Sequence, residues 1–144
     1  MSIRSATYKD APALKQLLGG LGFTSTLSLL INQLETLFGN DNNHVFVYEQ
    51  YKEVIGFIAV HYLPQFAFSG ELVLISCLSV DGTFRDADIA RALEEYVTRQ
   101  AMNRRCDQIQ VKCHDLSIPK DQFYQQQGYR ECCNFYIKKL VYNQ

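Results

Sequence analysis

The sequence predicts a mixed α/β fold, with a mostly antiparallel central sheet flanked by helices. Three observations carry this. Apolar residues alternate between helical three-four spacing and short strand-like runs. Gly, Pro and Asn clusters punctuate the chain between those runs. Over 144 residues, 47% hydrophobic and 20% charged content with only 3 Pro is globular, and the chain is long enough for a core without covalent staples.

The elements follow in order. Residues 2–7 alternate as a short first strand. Asp10 can cap a helix in which Leu14, Leu17 and Leu18 share a face, with Gly19 and Gly20 as its stop. Ser25 or Thr26 caps a second helix, where Leu27, Leu30, Ile31, Leu34, Leu37 and Phe38 recur at helical spacing up to Gly39. The run 40–43 is loop. Strands over 44–49 and 54–63 follow, joined by a turn over 50–53 and ended by Pro64. Another strand runs over 71–80. A break at Asp81 and Gly82 leads to a long helix from about Asp86 or Ala87 to Asn103, with Ile89, Leu93 and Val97 as its inner stripe. A strand over 108–113, a loop closed by Pro119, a short helix over 120–127 stopped by Gly128, and strands over 129–132 and 134–140 complete the order β-α-α-β-β-β-α-β-α-β-β. No composition shift marks an internal boundary, so residues 1–144 read as a single domain.

Charge and cysteine usage exclude several function classes. Fourteen Lys and Arg against fifteen Asp and Glu give a net charge of −1, without the basic excess that a phosphate-backbone partner demands. The longest apolar stretch, 54–60, is too short to cross a bilayer, and the first twelve residues lack the apolar block of a secretory signal. A cytoplasmic protein with no membrane or nucleic-acid partner is therefore expected. The five cysteines form no C-x-x-C, and the three histidines form no H-x-x-x-H, so neither a disulfide framework nor a metal site is expected.

Three strings carry the functional expectation: Ile75-Ser76-Cys77-Leu78-Ser79-Val80, Arg85-Asp86-Ala87-Asp88-Ile89-Ala90 and Phe123-Tyr124-Gln125-Gln126-Gln127-Gly128-Tyr129. Together with the element order, they resemble the GNAT superfamily of acyl-CoA N-acyltransferases over nearly the whole chain. The string Gly56-Phe57-Ile58-Ala59-Val60-His61 is similar to the aminoalkylphosphonate N-acetyltransferase type.

The resemblance implies acetyl-CoA as cosubstrate and a small-molecule primary amine as acceptor. In such folds the fourth strand splays from its parallel neighbour, here 108–113, and the pantetheine arm pairs with the main-chain groups left open. The cofactor-binding residues implied are Leu78, Ser79 and Val80 on that strand, with the Leu78 N–H near the thioester carbonyl. Arg85, Asp86, Ala87, Asp88, Ile89 and Ala90 occupy the pyrophosphate loop and helix start. Asp86 and Asp88 stand where glycines are usual. A carboxylate there accepts the same orphan N–H groups as a phosphate and repels it, on the order of 3 kcal/mol per pair at ~5 Å before screening. Tyr124 matches the family's tyrosine beside the cofactor sulfur, which protonates the departing thiolate.

The general base is the open position. Where many members carry a glutamate, this chain has Cys77, whose thiol is a poor acceptor and suits a small core side chain. His61 is the first candidate base, being titratable near neutrality and close to its strand's end, and His114 is the second. The expected reaction is direct attack of the amine on the thioester in a ternary complex. The alternative is a degenerate GNAT scaffold with weak or no CoA binding that acts as a regulatory or binding module. A homodimer through the aromatic-rich C-terminal strands is a further expectation. The acceptor cleft is expected from residues 19–43, 64–70 and 132–133, with Leu27, Phe66 and Phe68 giving it apolar character.

Overall fold

The computed structural model describes residues 2–83, 87–112, 120–132 and 135–142. Among these residues the sheet has five strands in sequence order: β1 (Ser2–Ser5), β2 (Asn43–Gln50), β3 (Glu53–Leu63), β4 (Leu72–Val80) and β5 (Gln108–Val111). The first four pair antiparallel, and β4 with β5 is parallel. Four helices accompany it: α1 (Ala11–Gly20), α2 (Leu27–Phe38), α3 (Asp88–Asn103) and α4 (Lys120–Gln126). None is long and apolar enough to cross a membrane among the described residues.

Strand parity divides the core in two. Val45, Val47, Phe57 and Ala59 meet Leu14, Leu17, Leu30 and Leu34 of α1 and α2 on one face. Phe46, Ile58, Val60, Val73, Ile75, Leu78 and Val80 meet Ile89, Leu93 and Val97 of α3 on the other, joined by Phe123 of α4. Seven aliphatic side chains in these layers, Ile58, Ile75, Leu93, Val47, Val60, Val73 and Val97, are fully buried. Each contributes about 1.5–3 kcal/mol of apolar burial.

Several element ends differ from the sequence reading. Gly19 and Gly20 lie within α1. The left-handed residue is Gly22, at φ 93°, and Phe23 N–H returns to the Leu18 carbonyl. Asp10 does not cap α1 with its side chain. Its carboxylate instead accepts from Thr7 N–H and pairs both oxygens with Arg4, at 2.8 and 2.9 Å. Thr26, one of the two expected caps, accepts from Leu29 N–H at 3.1 Å. The β2–β3 turn puts Tyr51 and Lys52 at φ 52° and 65°, which matches the twist of the strands it joins.

The largest correction concerns the C-terminus. Residues 129–132 and 135–142 form no strand, although two were expected. Alternation is necessary for a strand but not sufficient, because a strand exists only as a hydrogen-bonded pair. Among the described residues, β5 spans Gln108–Val111 and has no ladder with this segment. Tyr136 and Val141 are correspondingly exposed.

Candidate active site

The site is organised around the stretch of β4 beyond its last described pair with β5. Before residue 76 the odd residues face β5: Glu71 C=O accepts from Asp107 N–H at 2.8 Å, and Ile75 C=O accepts from Lys112 N–H at 3.0 Å. The register with β3 then shifts, since Ala59 opposes Cys77 while Val60 opposes Ile75, which leaves Ser76 as the extra residue of a bulge. Beyond it the parity is reversed. Asp81 N–H bonds the Ile55 carbonyl at 2.8 Å, so Ser79 and Cys77 also turn their main chain to β3 by the alternation of an antiparallel ladder. The N–H and C=O of Leu78 and Val80 therefore point to the other side, the side of β5.

On that side the last described pair is Ile75 and Val111, while β4 runs on to Val80. Residues 113–119, which would continue β5 alongside this stretch, lie outside the described residues, and the crevice expected between the two strands falls there. Main-chain groups turned to this side are of the kind that an extended ligand carrying amide groups can pair with. The Leu78 and Val80 side chains point into the α3-side core, and Ser79 donates its hydroxyl to the Leu17 carbonyl at 3.3 Å.

The α3 start lies just beyond. Ala87 is its N-cap and makes no side-chain cap bond; the first helical bond is Arg91 N–H to the Ala87 carbonyl. The N–H groups of Asp88, Ile89 and Ala90 thus have no acceptor inside the helix, and the helix dipole favours an anion beside them. Asp88 does not cap these amides as the sequence suggested. Its exposed carboxylate pairs with Arg91 Nη1 at 2.8 Å, one turn on. Arg85 and Asp86 lie outside the described residues.

Tyr124 sits on α4, its ring edge-on to Phe123 at 5.0 Å and to Tyr129 at 5.5 Å, packed against the α3-side core. Gly128 ends this helix at φ 93°, and Tyr129 N–H bonds back to the Tyr124 carbonyl at 2.9 Å. Tyr129 then donates its hydroxyl to Glu94 Oε2 at 2.7 Å, and Thr98 donates to the same oxygen at 2.8 Å. Glu94 is only 3% exposed, so α3 and the segment that seats Tyr124 are tied by a buried carboxylate with two donors. Burial, reinforced by Glu94, pushes the Tyr129 phenol far above its usual range.

His61 occupies the opposite face. Its Nδ1 lies 2.9 Å from Asn43 Oδ1 and its Nε2 lies 2.8 Å from Ser76 Oγ. An amide oxygen only accepts, so the neutral ring carries its proton on Nδ1, and Nε2 accepts from the Ser76 hydroxyl. Burial lowers the imidazole below its ordinary value, and the Lys112 charge acts in the same direction. The ring is thus held neutral, as a weaker base than a free imidazole. Cys77, next to Ser76, packs against the α1–α2 core. Burial raises its thiol, which makes it still poorer as a proton acceptor.

The sequence reading missed Ser76 and Asn43. A residue opposite His61 on β2 and a bulge residue on β4 become its partners only through sheet register. It also missed the Glu94–Tyr129 tie, whose one visible signal was a glutamate on the inner face of an amphipathic helix. His114 and Cys133 lie outside the described residues. Of the expected apolar cleft residues, Phe66 is fully exposed and Leu27 and Phe68 are largely so. Among the described residues no group of His, Cys, Asp and Glu could hold a metal.

Comparison with known proteins places this geometry. The chain aligns over 98% of its length, and 99% of the other's, with a transcriptional regulator from Bacillus halodurans C-125, at TM-score 0.80 and 19% identity. It covers 97% of its length, and all of the other's, with a GNAT family acetyltransferase of Staphylococcus aureus subsp. aureus USA300_TCH1516, at TM-score 0.79 and 17% identity. An aminoglycoside acetyltransferase from an uncultured soil metagenomic sample, in complex with trehalose, matches at TM-score 0.77 and 19% identity, over 97% of this chain and 96% of its own. At these identities the likeness is one of fold. No curated protein sequence matches the chain. The aminoalkylphosphonate subtype finds no support in these comparisons. The family model for the acetyltransferase (GNAT) family matches residues 16–129, which takes in β4, α3 and α4, and the chain belongs to that family.

Proposed function

We propose that the chain is an acetyl-CoA-dependent N-acetyltransferase acting on a primary amine of a small molecule, with residues 1–144 forming one catalytic domain in the cytoplasm. The observation that carries this reading is β4 continuing to Val80 past its last described β5 pair, with the main chain of Leu78 and Val80 turned to the β5 side.

In this reading the pantetheine arm pairs with Leu78 and Val80, and Leu78 N–H bonds the oxygen that becomes negative as the tetrahedral centre forms. One preorganised donor of this kind is worth about 3–4 kcal/mol of barrier. The pyrophosphate meets the amides of Asp88, Ile89 and Ala90, with Arg85 as its expected counter-charge. Arg91, already paired with Asp88, offsets part of that carboxylate's repulsion. Tyr124 protonates the leaving sulfur, and the neutral His61 ring takes up the acceptor's proton.

Acetyl-CoA at 100 times its dissociation constant adds about 2.7 kcal/mol, which raises the melting midpoint by several degrees. The test is a melt with and without millimolar acetyl-CoA, followed by thiol release across polyamines, amino acids, aminoglycosides and aminophosphonates. Absence of both shift and thiol release overturns the reading. It leaves the non-catalytic module, which the unsatisfied fit of Asp88 beside a pyrophosphate would then favour. Exposed Phe135, Ile137 and Val141 support pairing of two copies through the C-terminal segment. Sedimentation of the full chain and of one truncated before residue 135 checks this.

A further inference from the structure

Resting on the acyl-transfer reading, we propose that Ser76 is the group that meets the acceptor's ammonium, passing its proton to His61 through a hydroxyl relay that Asn43 orients. Three observations converge. Both ring nitrogens of His61 are already engaged, Nδ1 by Asn43 and Nε2 by Ser76, so the acceptor reaches the imidazole only through the serine hydroxyl. Ser76 is the extra residue of the β4 bulge, directly after the last described β4–β5 pair. Leu78, whose amide faces the β5 side, is two residues on, roughly 7 Å along the strand. That separation fits an amine nitrogen held between the Ser76 hydroxyl and a carbonyl carbon beside the Leu78 N–H.

The protons balance. The ammonium gives one proton to Ser76 Oγ as the serine's own proton moves to His61 Nε2, and Nδ1–H stays on Asn43. The free amine then attacks, the C–N bond forms, and the C–S bond breaks with Tyr124 protonating sulfur. The second proton shed by the amide nitrogen restores Tyr124, and the imidazolium releases its proton to solvent. Among the described residues, the groups facing His61 are Asn43 on β2, Ser76 and Cys77 on β4, and Lys112 after β5. Lys112 disfavours a lasting imidazolium and so favours that release. Asn43 meets the relay only through its Oδ1 on His61 Nδ1 and is a positioning residue.

The test compares wild type, Ser76→Ala and Ser76→Thr with one accepted alkylamine across pH. Ser76→Ala is expected to lose at least tenfold in kcat/KM at pH 7 and to recover toward wild type by about pH 9.5, where the amine arrives deprotonated. Ser76→Thr keeps most of the rate, and neither variant changes the thermal shift by acetyl-CoA. A Ser76→Ala enzyme at full rate, or with a deficit that pH does not alter, overturns the relay and leaves acyl transfer standing. An acetyl group found on Ser76 by mass spectrometry overturns it in favour of a covalent route. A wild type with neither turnover nor an acetyl-CoA shift overturns both. Long-range proton–nitrogen NMR of the wild type gives a check that needs no variant: the relay requires the Nδ1–H form of His61, and the Nε2–H form refutes it.

Discussion

Replacing Tyr129 by Phe removes one oxygen and nothing else from the tie between α3 and the end of α4. Glu94, 3% exposed, keeps the Thr98 hydroxyl at 2.8 Å, and no room is created for a hydration shell. A hydrogen bond to a carboxylate contributes about 1.5–3 kcal/mol, with the upper part applying when the acceptor stays buried. At roughly 2.1 cal/mol/K per residue, a chain of 144 residues has an unfolding entropy near 0.3 kcal/mol/K. A loss of about 2 kcal/mol therefore lowers the melting midpoint by about 7 °C at pH 7, measured by calorimetry or circular dichroism. The alkaline side gives an independent readout. The Tyr129 pKa in the folded protein is raised above its unfolded value of about 10, first by burial and then by Glu94. Its contribution is thus complete below pH 10 and drains away as pH rises above it. Wild type should lose stability between pH 10 and 12 more steeply than Tyr129→Phe. A midpoint change under 1 °C at pH 7, or parallel alkaline slopes, would refute the assignment of this bond as a buried tie.

Three further outcomes follow from the same geometry. Tyr124→Phe should lower turnover about a hundredfold while leaving the acetyl-CoA thermal shift intact; unchanged turnover removes Tyr124 from its proposed role. Asp88→Asn takes a charge from the α3 start and frees Arg91. The carboxylate is exposed, so screening reduces the bare repulsion to the order of 1 kcal/mol, and CoA should bind about fivefold tighter by calorimetry at low salt. Equal or weaker binding counts against an anion site there. Arg4 holds the Asp10 carboxyl below its ordinary value through a two-point hydrogen bond. Because that folded pKa is depressed, its stabilisation is present above about pH 4 and lost as pH falls through the folded value. Arg4→Leu should flatten the acid limb of a pH–stability curve, and an unchanged limb would show that Asp10 is not its source.

Elements with their own local signal were legible in the sequence. Helix spacing and the Thr26 cap placed α2, alternating and continuous apolar runs placed β2 to β4, and Gly128 marked the end of α4. What failed depended on partners far along the chain. The last strands alternate as strands do, yet a strand exists only with a hydrogen-bonded partner. Gly19 and Gly20 resemble a helix stop, but the turn closes two residues later, where Phe23 N–H finds the Leu18 carbonyl. Asp10 and Asp88 have cap-like positions before or at the start of α1 and α3, and in both cases an arginine takes the carboxylate, which at Asp10 also accepts from Thr7 N–H. A charge-assisted bond to a guanidinium is strong, and a local cap rule carries no information about where the arginine sits.

The same limit explains why the proton route could not be read from the motifs. His61 was visible as a titratable residue near a strand end, but its neighbours were set by register: Asn43 lies directly across β2, and the bulge brings Ser76 to the same face. Parity then fixes the geometry of the proposed reaction. His61 shares the α1–α2 face with Phe57 and Ala59, whereas Tyr124 packs with the α3-side core. A base on one face and an acid on the other cannot both serve one amine unless the sheet is open between them. In the proposed reaction that opening lies just past Ile75 and Val111, the last described pair of β4 and β5. The acceptor should therefore enter from the α1–α2 side and the thiol leave toward α4. Crosslinking an amine-reactive acceptor analogue to residues of α4 rather than α1 or α2 would contradict that order.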